Sequence, residues 1–155
     1  MQANNDLYIN REDTVHPDWS NPLLTDMYQI KMAYAEWKGK RHDEKATFEL
    51  FFRKCPFKGK YAVFGGLDEC IKFLENYKFT KEHVDYLKAT IPHAEKEFFE
   101  WIENLDCSQV QIEGARDGEM VFAEVPLLRL EGPLALLQLI ETPLLTMINF
   151  STLLR

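Results

Sequence analysis

Apolar residues along the first third of the chain follow a helical spacing and then a strand spacing. Between Thr25–Asp26 and Gly39 they recur every three or four residues, which predicts a helix that is capped by a short polar side chain and stopped by glycine. The apolar stripe consists of Met27, Ile30, Tyr34 and Trp37. From Lys45 to Arg53 apolar and polar residues alternate, which predicts a strand.

The segment after this strand has the pattern of a hairpin. Pro56–Gly59 predicts a turn, and Tyr61–Phe64 predicts a returning strand. Basic and aromatic residues crowd this segment, namely Arg53, Lys54, Phe57, Lys58, Lys60 and Tyr61. Such a segment can bind phosphate, although the sequence alone favours a solvated turn. The Gly65–Gly66 pair that follows favours a tight turn over a ligand-binding backbone.

Three amphipathic helices are predicted in the middle of the chain, and three strands after them. The helices cover Leu67–Leu74, Lys81–Ala89 with Thr80 as cap, and Ala94–Leu105. Beyond Asp106 the apolar period falls to two, which predicts strands. The strands contain Val110 and Ile112, then Met120 and Phe122 across the Arg116–Asp117–Gly118 turn, then Leu128 and Leu130.

The most apolar segment of the chain is Leu134 to Leu154. Gly132–Pro133 precedes it, and Thr142–Pro143 predicts either a kink or a new helix start within it. Polar residues interrupt the segment well before 18 consecutive apolar positions are reached, so a buried core helix is favoured over a membrane span. A terminal helix this apolar needs a partner surface, and we expect the chain to be the front part of something larger.

The order of these elements predicts an α+β fold. Strands come in runs instead of alternating singly with helices, which argues against a doubly wound α/β sheet. Residues 1–20 are rich in Asn and Asp without clear periodicity, so we expect a flexible N-terminal arm followed by one domain over residues 21–155.

Composition narrows the classes of protein to which the chain can belong. Its 155 residues are 46% hydrophobic, enough for a core, and the net charge is −7. That charge argues against non-specific binding to nucleic acid or an anionic membrane. The three cysteines form no CxxC pair and the N-terminus has no apolar signal segment, so a reducing compartment is the default. The four histidines lack metal-ligand spacing and are expected at the surface, and no metal site is predicted.

Tyr28 is the residue that most suggests a ligand. It is rotated by about 100° from the core stripe in the first turn of the predicted helix. An aromatic ring beside a helix N-terminus can stack on a flat ligand while the helix dipole favours an anionic group. From the residues alone, a tyrosine that covers the edge of the core is the commoner case.

In-register motifs from Asn21 to Leu154 resemble the nicotinate phosphoribosyltransferase family. The motifs are Leu23-Leu24-Thr25-Asp26-Met27-Tyr28-Gln29, Phe51-Phe52-Arg53-Lys54-Cys55-Pro56-Phe57 with Gly59 and Tyr61, Gly66-Leu67, Phe98-Phe99, Pro126-Leu127-Leu128-Arg129, Gly132-Pro133-Leu134 and Gln138-Leu139-Ile140-Glu141-Thr142-Pro143-Leu144-Leu145. The sister enzyme that uses nicotinamide shares the Asp-x-Tyr element, but two of the segments favour the nicotinate family: Phe51–Phe57 and Glu141–Leu145.

The resemblance implies a reaction and a fold. Nicotinate attacks C1 of phosphoribosyl pyrophosphate and forms nicotinate mononucleotide, in salvage synthesis of NAD, with coupling to ATP and Mg²⁺ through a phosphorylated histidine. The fold would be the N-terminal domain of a type II phosphoribosyltransferase, a mixed sheet with packed helices that lacks most of the α/β barrel. A cytosolic homodimer with the active site at the subunit interface is implied as well.

The same resemblance assigns site residues. Tyr28 matches the tyrosine that stacks on nicotinate, and Asp26 matches an acidic position near the substrate. We expect no catalytic residue, ATP or metal site within this chain, because the matching phosphate loops and phosphohistidine would lie beyond Arg155. A truncated form that is inactive alone is therefore expected. The alternative is a non-catalytic fragment or short isoform that pairs with full-length subunits.

Overall fold

The computed structural model describes residues 21–154, so the expected arm over residues 1–20 and His16 lie outside the described residues. Five helices and five strands follow one another within this part of the chain. They are α1 (Met27–Lys38), β1 (Lys45–Leu50), β2 (Ala62–Val63), α2 (Leu67–Glu75), α3 (Lys81–Thr90), α4 (Lys96–Glu103), β3 (Gln111–Gly114), β4 (Met120–Val121), β5 (Leu128–Pro133) and α5 (Leu134–Leu153). Short 3-10 turns lie at Pro22–Leu24 and Pro56–Lys58. The α+β class is confirmed.

Helix starts and stops agree with the sequence signals. Asp26 is the N-cap of α1 and Gly39 its C-cap, while the side chain of Thr80 accepts a hydrogen bond from the backbone N–H of His83 in α3. The helix predicted over Ala94–Leu105 is shorter at both ends. Glu95 has an extended backbone and caps α4, so the residues before it cannot join the helix.

The strands form two small antiparallel sheets instead of the mixed sheet that we expected. One sheet has the order β1-β5-β3, and the other pairs β2 with β4. The two expected hairpins are therefore wrong, because β1 does not pair with β2 and β3 does not pair with β4. β5 takes the central place between β1 and β3 because it is the most buried strand: Leu128, Leu130 and Gly132 all face the interior.

The strand around residue 121 has the opposite register from the one predicted. Val121 is buried, whereas Met120 and Phe122 are more than half exposed. Each larger side chain suggests a core position by its size, but Val121 stands opposite Ala62 in the β2–β4 ladder, and both of these residues are buried.

The apolar segment at the end of the chain is one continuous helix. α5 runs through Pro143 without a break, so the alternative of a new helix start at Thr142–Pro143 is wrong. Its first free backbone N–H groups, those of Leu134 and Ala135, donate to the carbonyls of Glu44 and His42 at 2.9 and 3.2 Å. α1, α2, β1 and β5 pack against it. By length and composition alone α5 could span a bilayer, but half of that stretch is buried inside the domain.

The Gly65–Gly66 pair serves the packing of this helix. Gly66 has a left-handed backbone, with φ of 105°, and an added Cβ would lie 2.9 Å from the side chain of Ser151 in α5. Gly65 exchanges hydrogen bonds with the buried hydroxyl of Thr152. The carboxylate of Asp117 accepts from the N–H groups of Gly66 and Leu67, which caps α2 from a distant turn. The glycines therefore allow close approach of two protein segments.

Replacing Gly114 by alanine is expected to destabilise the domain by about 1–3 kcal/mol. An added Cβ would lie 2.5 Å from the backbone oxygen of Leu127, which cannot move without breaking the sheet edge. Gly132→Ala is the matched control in the same sheet, since its Cβ would meet no atom closer than 3.4 Å. Urea denaturation of both variants measures the effect, and an equal loss of stability in the two would contradict this account.

A polar cluster links α1 to the start of α4. Lys38 donates to Glu95 at 2.8 Å, and the Tyr34 hydroxyl donates to the other carboxylate oxygen of Glu95. These two hydrogen bonds, that of Lys38 first, lower the pKa of Glu95 to about 2. The Tyr34 ring also contacts Phe98 edge to face, with the ring centroids 5.0 Å apart, so the polar cluster borders the core.

The ionisation of Glu95 should make the free energy of unfolding of the domain depend on pH in the acidic range. Its pKa is about 2 in the folded chain against an ordinary value of 4.5, so the unfolded chain binds more protons between those pH values. Stability is then fully present above pH 4.5 and is lost as the pH falls toward 2. Denaturant titrations across this pH range should show that the free energy of unfolding falls less steeply with pH in Glu95→Gln than in the control Glu97→Gln. The control removes a carboxylate that has no ion pair in the described chain. Parallel curves for the two variants would count against the cluster.

Candidate functional site

The start of α1 is built by a short network of polar side chains. Asn21 accepts a hydrogen bond from the N–H of Leu23 at 2.9 Å and fixes the 3-10 turn that leads into the helix. The carbonyl of Asp26 then accepts from the N–H of Gln29 at 3.0 Å, which begins the helical ladder. Residues 25–29 thus receive a defined backbone conformation from local capping.

Asp26 connects this helix start to the central helix. The hydroxyl of Thr142 in α5 donates to Asp26 Oδ2 at 3.2 Å, across 116 residues of sequence. Asp26 is exposed, so its carboxylate keeps access to solvent while one oxygen is held. The carboxylate of Asp26 is therefore held at the solvent-exposed edge of the α1–α5 interface.

Tyr28 lies beside Asp26 with half of its surface open to solvent. Its exposed fraction is 50%, and its ring has no aromatic partner among residues 21–154, unlike Tyr34 and Tyr77, which pack on neighbouring rings. An exposed aromatic ring next to a helix N-terminus is able to stack on a planar ring. The structure shows that Tyr28 and Asp26 both reach solvent at the start of α1.

Two residues that position the start of α1 were missed by the sequence-based reasoning. Gln29 is fully buried, and its Oε1 accepts hydrogen bonds from the Thr25 hydroxyl and, at 3.3 Å, from the N–H of Asp26. Its Nε2 has no hydrogen-bond partner among the described residues. The position of Gln29, three residues after the N-cap, is the signal of a capping box. No local signal links Thr142 to Asp26, because the contact is long-range.

Two adjoining cavities lie along α5. The first has a volume of about 310 Å³ between α5 and the sheet and is lined mostly by apolar side chains, among them Phe48, Leu130 and Leu144. One polar pair lies in its wall, Gln138 donating to Glu141 at 2.9 Å. The second, of about 280 Å³, lies between residues 50–52 and the α5 residues Leu145, Thr146, Ile148 and Asn149. Together they form a groove along one side of the helix.

Residues 53–61, named here the basic loop, leave the end of β1. The loop contains a 3-10 turn at Pro56–Lys58 in place of the expected hairpin turn. Its four basic side chains are exposed, and Phe57 is 87% exposed. The root of the loop is fixed by a hydrogen bond from the N–H of Glu124 to the carbonyl of Phe52 at 2.8 Å.

The described residues offer little support for a nucleophile or a metal centre. Burial raises the pKa of the Cys70 and Cys107 thiols to about 12, which leaves both as protonated, weakly reactive groups. Within residues 21–154 no group of three His, Cys, Asp or Glu side chains could hold a metal ion. His42 is not a simple surface residue as expected, since its ring packs edge to face on Trp101.

A family model and curated relatives of this chain point to the same family. A family model described as the nicotinate phosphoribosyltransferase (NAPRTase) N-terminal domain matches residues 23–149. The chain is 47% identical over 150 residues to nicotinate phosphoribosyltransferase of Caenorhabditis elegans and 50% identical over 132 residues to that of Dictyostelium discoideum. These matches cover 96% and 85% of this chain but only 26% and 22% of the relatives.

A solved structure supports the same similarity. The crystal structure of human nicotinic acid phosphoribosyltransferase superimposes with a TM-score of 0.79 at 41% identity, covering 84% of this chain and 26% of that chain. The chain therefore spans about a quarter of the length of the proteins that it matches.

The three cysteines should react with an alkylating reagent in an order set by burial. Cys55 lies in the basic loop and is partly accessible, whereas Cys70 is buried within α2. With iodoacetamide at pH 8, peptide mapping should find Cys55 modified first, Cys107 more slowly, and Cys70 only after unfolding in denaturant. Modification of Cys70 in the native protein at the rate of Cys55 would overturn the assignment of Cys70 as a structural thiol.

Proposed function

The chain belongs to the nicotinate phosphoribosyltransferase family, and we propose that it serves as the N-terminal, substrate-binding domain of an enzyme that joins nicotinate to phosphoribosyl pyrophosphate. The product would be nicotinate mononucleotide, for synthesis of NAD by salvage. The observation that carries this proposal is the exposed ring of Tyr28 at the start of α1, two residues after Asp26, whose carboxylate is held by Thr142 of α5.

Tyr28 is proposed to stack on the pyridine ring of nicotinate. The ring of nicotinate is planar and aromatic, and an offset-stacked pair of aromatic rings is worth about 0.5–1.5 kcal/mol beyond the burial of its area. The N-terminus of α1 adds a favourable potential for the carboxylate of the ligand. Tyr28 belongs to the first turn of α1, so its ring starts from the same helix end whose dipole would attract the carboxylate of nicotinate.

Asp26 is proposed to act near the sugar of the second substrate. Displacement of pyrophosphate at C1 of the ribose builds positive charge on the sugar, and a nearby carboxylate stabilises such charge. The hydrogen bond from Thr142 restricts the carboxylate before substrate arrives, which reduces the reorganisation needed during the reaction.

ATP and Mg²⁺ enter this proposal only through family membership. The described residues contain no group of three carboxylate, histidine or cysteine side chains for a metal, so they do not fit a Mg²⁺ centre of their own. No step of the reaction is therefore routed through either group here. Homodimeric assembly and a cytosolic location belong to the same proposal.

The second candidate is a non-catalytic form that pairs with longer subunits. The observation that favours it is a set of exposed apolar side chains in the second half of α5 and at its C-cap: Leu145, Phe150, Leu153 and Leu154 are 40% to 70% exposed. A surface of this kind suits a protein partner. Residues 1–155 alone are proposed to lack turnover, because they match only about a quarter of the length of the related enzymes.

The test is an activity assay on two proteins. In the first, residues 1–155 are expressed alone, and no nicotinate mononucleotide is expected from nicotinate, phosphoribosyl pyrophosphate and ATP. In the second, residues 23–149 replace the matching segment of the human enzyme, and turnover is expected. Chromatography of labelled nicotinate products measures both. A folded, inactive chimera would refute the proposed function, and product from residues 1–155 alone would refute the lack of turnover.

Substitution of Tyr28 in the active chimera tests the role of its ring. Tyr28→Ala should raise the KM for nicotinate by about tenfold, which corresponds to the loss of one stacking contact. Tyr28→Phe keeps the aromatic face and should change that KM by less than about twofold. Tyr86 is also exposed but lies on α3, so Tyr86→Ala is the matched control with no expected effect. An unchanged KM in Tyr28→Ala would exclude stacking by Tyr28.

A further inference from the structure

We propose that the basic loop, residues 53–61, binds the phosphate groups of an anionic ligand. The identification of this ligand with the phosphoribosyl substrate rests on the proposed function, whereas phosphate binding itself does not. Arg53, Lys54, Lys58 and Lys60 would supply the charge, and Phe51–Phe52 at the root of the loop would set its position against α5.

The first argument is the uncompensated charge of the loop. Its nine residues carry four basic side chains and no carboxylate, in a chain of net charge −7. None of the four makes an ion pair or a side-chain hydrogen bond within the described part of the chain. Elsewhere, Lys45, Lys96 and Arg129 have carboxylate partners at 2.6 to 2.9 Å. Four like charges in a short loop repel one another, and a bound polyanion would remove that repulsion.

The second argument is the backbone of the loop. Phe57 and Lys58 are consecutive non-glycine residues with φ of 55° and 59°, in the left-handed region. The N–H of Gly59 donates to the carbonyl of Pro56 at 2.9 Å and closes this turn. Left-handed non-glycine residues cost free energy, and they are found preferentially at binding sites and active sites. Since Phe57 is 87% exposed, packing of its ring does not account for the conformation.

The third argument is the position of the loop relative to Tyr28 and Asp26. Asp26 is held by Thr142 of α5, and the root of the loop lines the cavity that contains Thr146 and Asn149. These α5 residues share one face of the helix, because they are spaced by four and three positions. Seven residues of α-helix rise by about 10 Å. The held carboxylate of Asp26 and the root of the basic loop therefore lie along one face of α5, about 10 Å apart along the helix axis. This distance is short enough for one ligand with a flat ring at one end and phosphates at the other to reach both the start of α1 and the loop.

The direct test uses inorganic pyrophosphate and residues 1–155. Titration followed by amide NMR should show saturable shifts centred on residues 53–61. The double variant Lys54→Gln/Lys58→Gln should weaken binding by about tenfold, since charge-assisted hydrogen bonds are lost. The control Lys78→Gln/Lys81→Gln removes two exposed charges at similar spacing that form no ion pair within residues 21–154, and it should weaken binding by less than about twofold. Circular dichroism checks that each variant is folded.

Two results would overturn the inference. One is an equal loss of affinity in both double variants, which would mean that pyrophosphate responds only to net charge. The other is saturation with shifts outside the basic loop. Because this titration needs neither nicotinate nor turnover, its outcome is independent of the chimera assay. In an active chimera, the Lys54/Lys58 variant should raise the KM for phosphoribosyl pyrophosphate and leave the KM for nicotinate unchanged, the reverse of Tyr28→Ala.

Discussion

A twenty-residue helix with apolar side chains on nearly every face must be enclosed by the rest of the chain, and this requirement organises the domain. Eleven residues of α5 are buried inside the domain. β1 and β5 cover one side, while α1 and α2 cover others. A helix that is hydrophobic all round is stable only when it is surrounded in this way. The glycines before α2 are required for the same reason, since a side chain at Gly66 would meet Ser151.

The candidate site depends on the same helix. Thr142 lies on α5 and holds Asp26, so the packing of α1 on α5 sets the position of Asp26 and of the neighbouring Tyr28. Gln29, buried below them, fixes the backbone from which both side chains project. One turn further along, α5 borders the root of the basic loop. Core packing therefore sets the spacing between groups that reach solvent.

Local features of the sequence predicted the helices, whereas pairing between distant strands could not be predicted. The caps Asp26, Gly39 and Thr80 act within one helical turn, so their residue types carry the information. The placement of β5 between β1 and β3 depends instead on which strand is most buried in the final fold. The burial of Val121 between two exposed, larger neighbours has the same origin. Pro143 allowed the wrong alternative of a new helix start, because burial within α5 outweighs the tendency of proline to break a helix.

The residue pattern alone predicted the candidate site less well than it predicted the helices. From its residue type and spacing alone, Tyr28 was more simply a tyrosine at the edge of the core, and the family motif around it made a ligand the favoured interpretation. Its exposure and its lack of a ring partner in the described chain agree with that interpretation. In the phosphoribosyl transfer proposed above, the nucleophile is the ring nitrogen of the substrate and the leaving group is pyrophosphate. Orientation and charge are therefore what a protein has to supply to the reacting atoms. Under that proposal, the exposed ring would serve orientation, while the held carboxylate and the cations of the basic loop would serve charge.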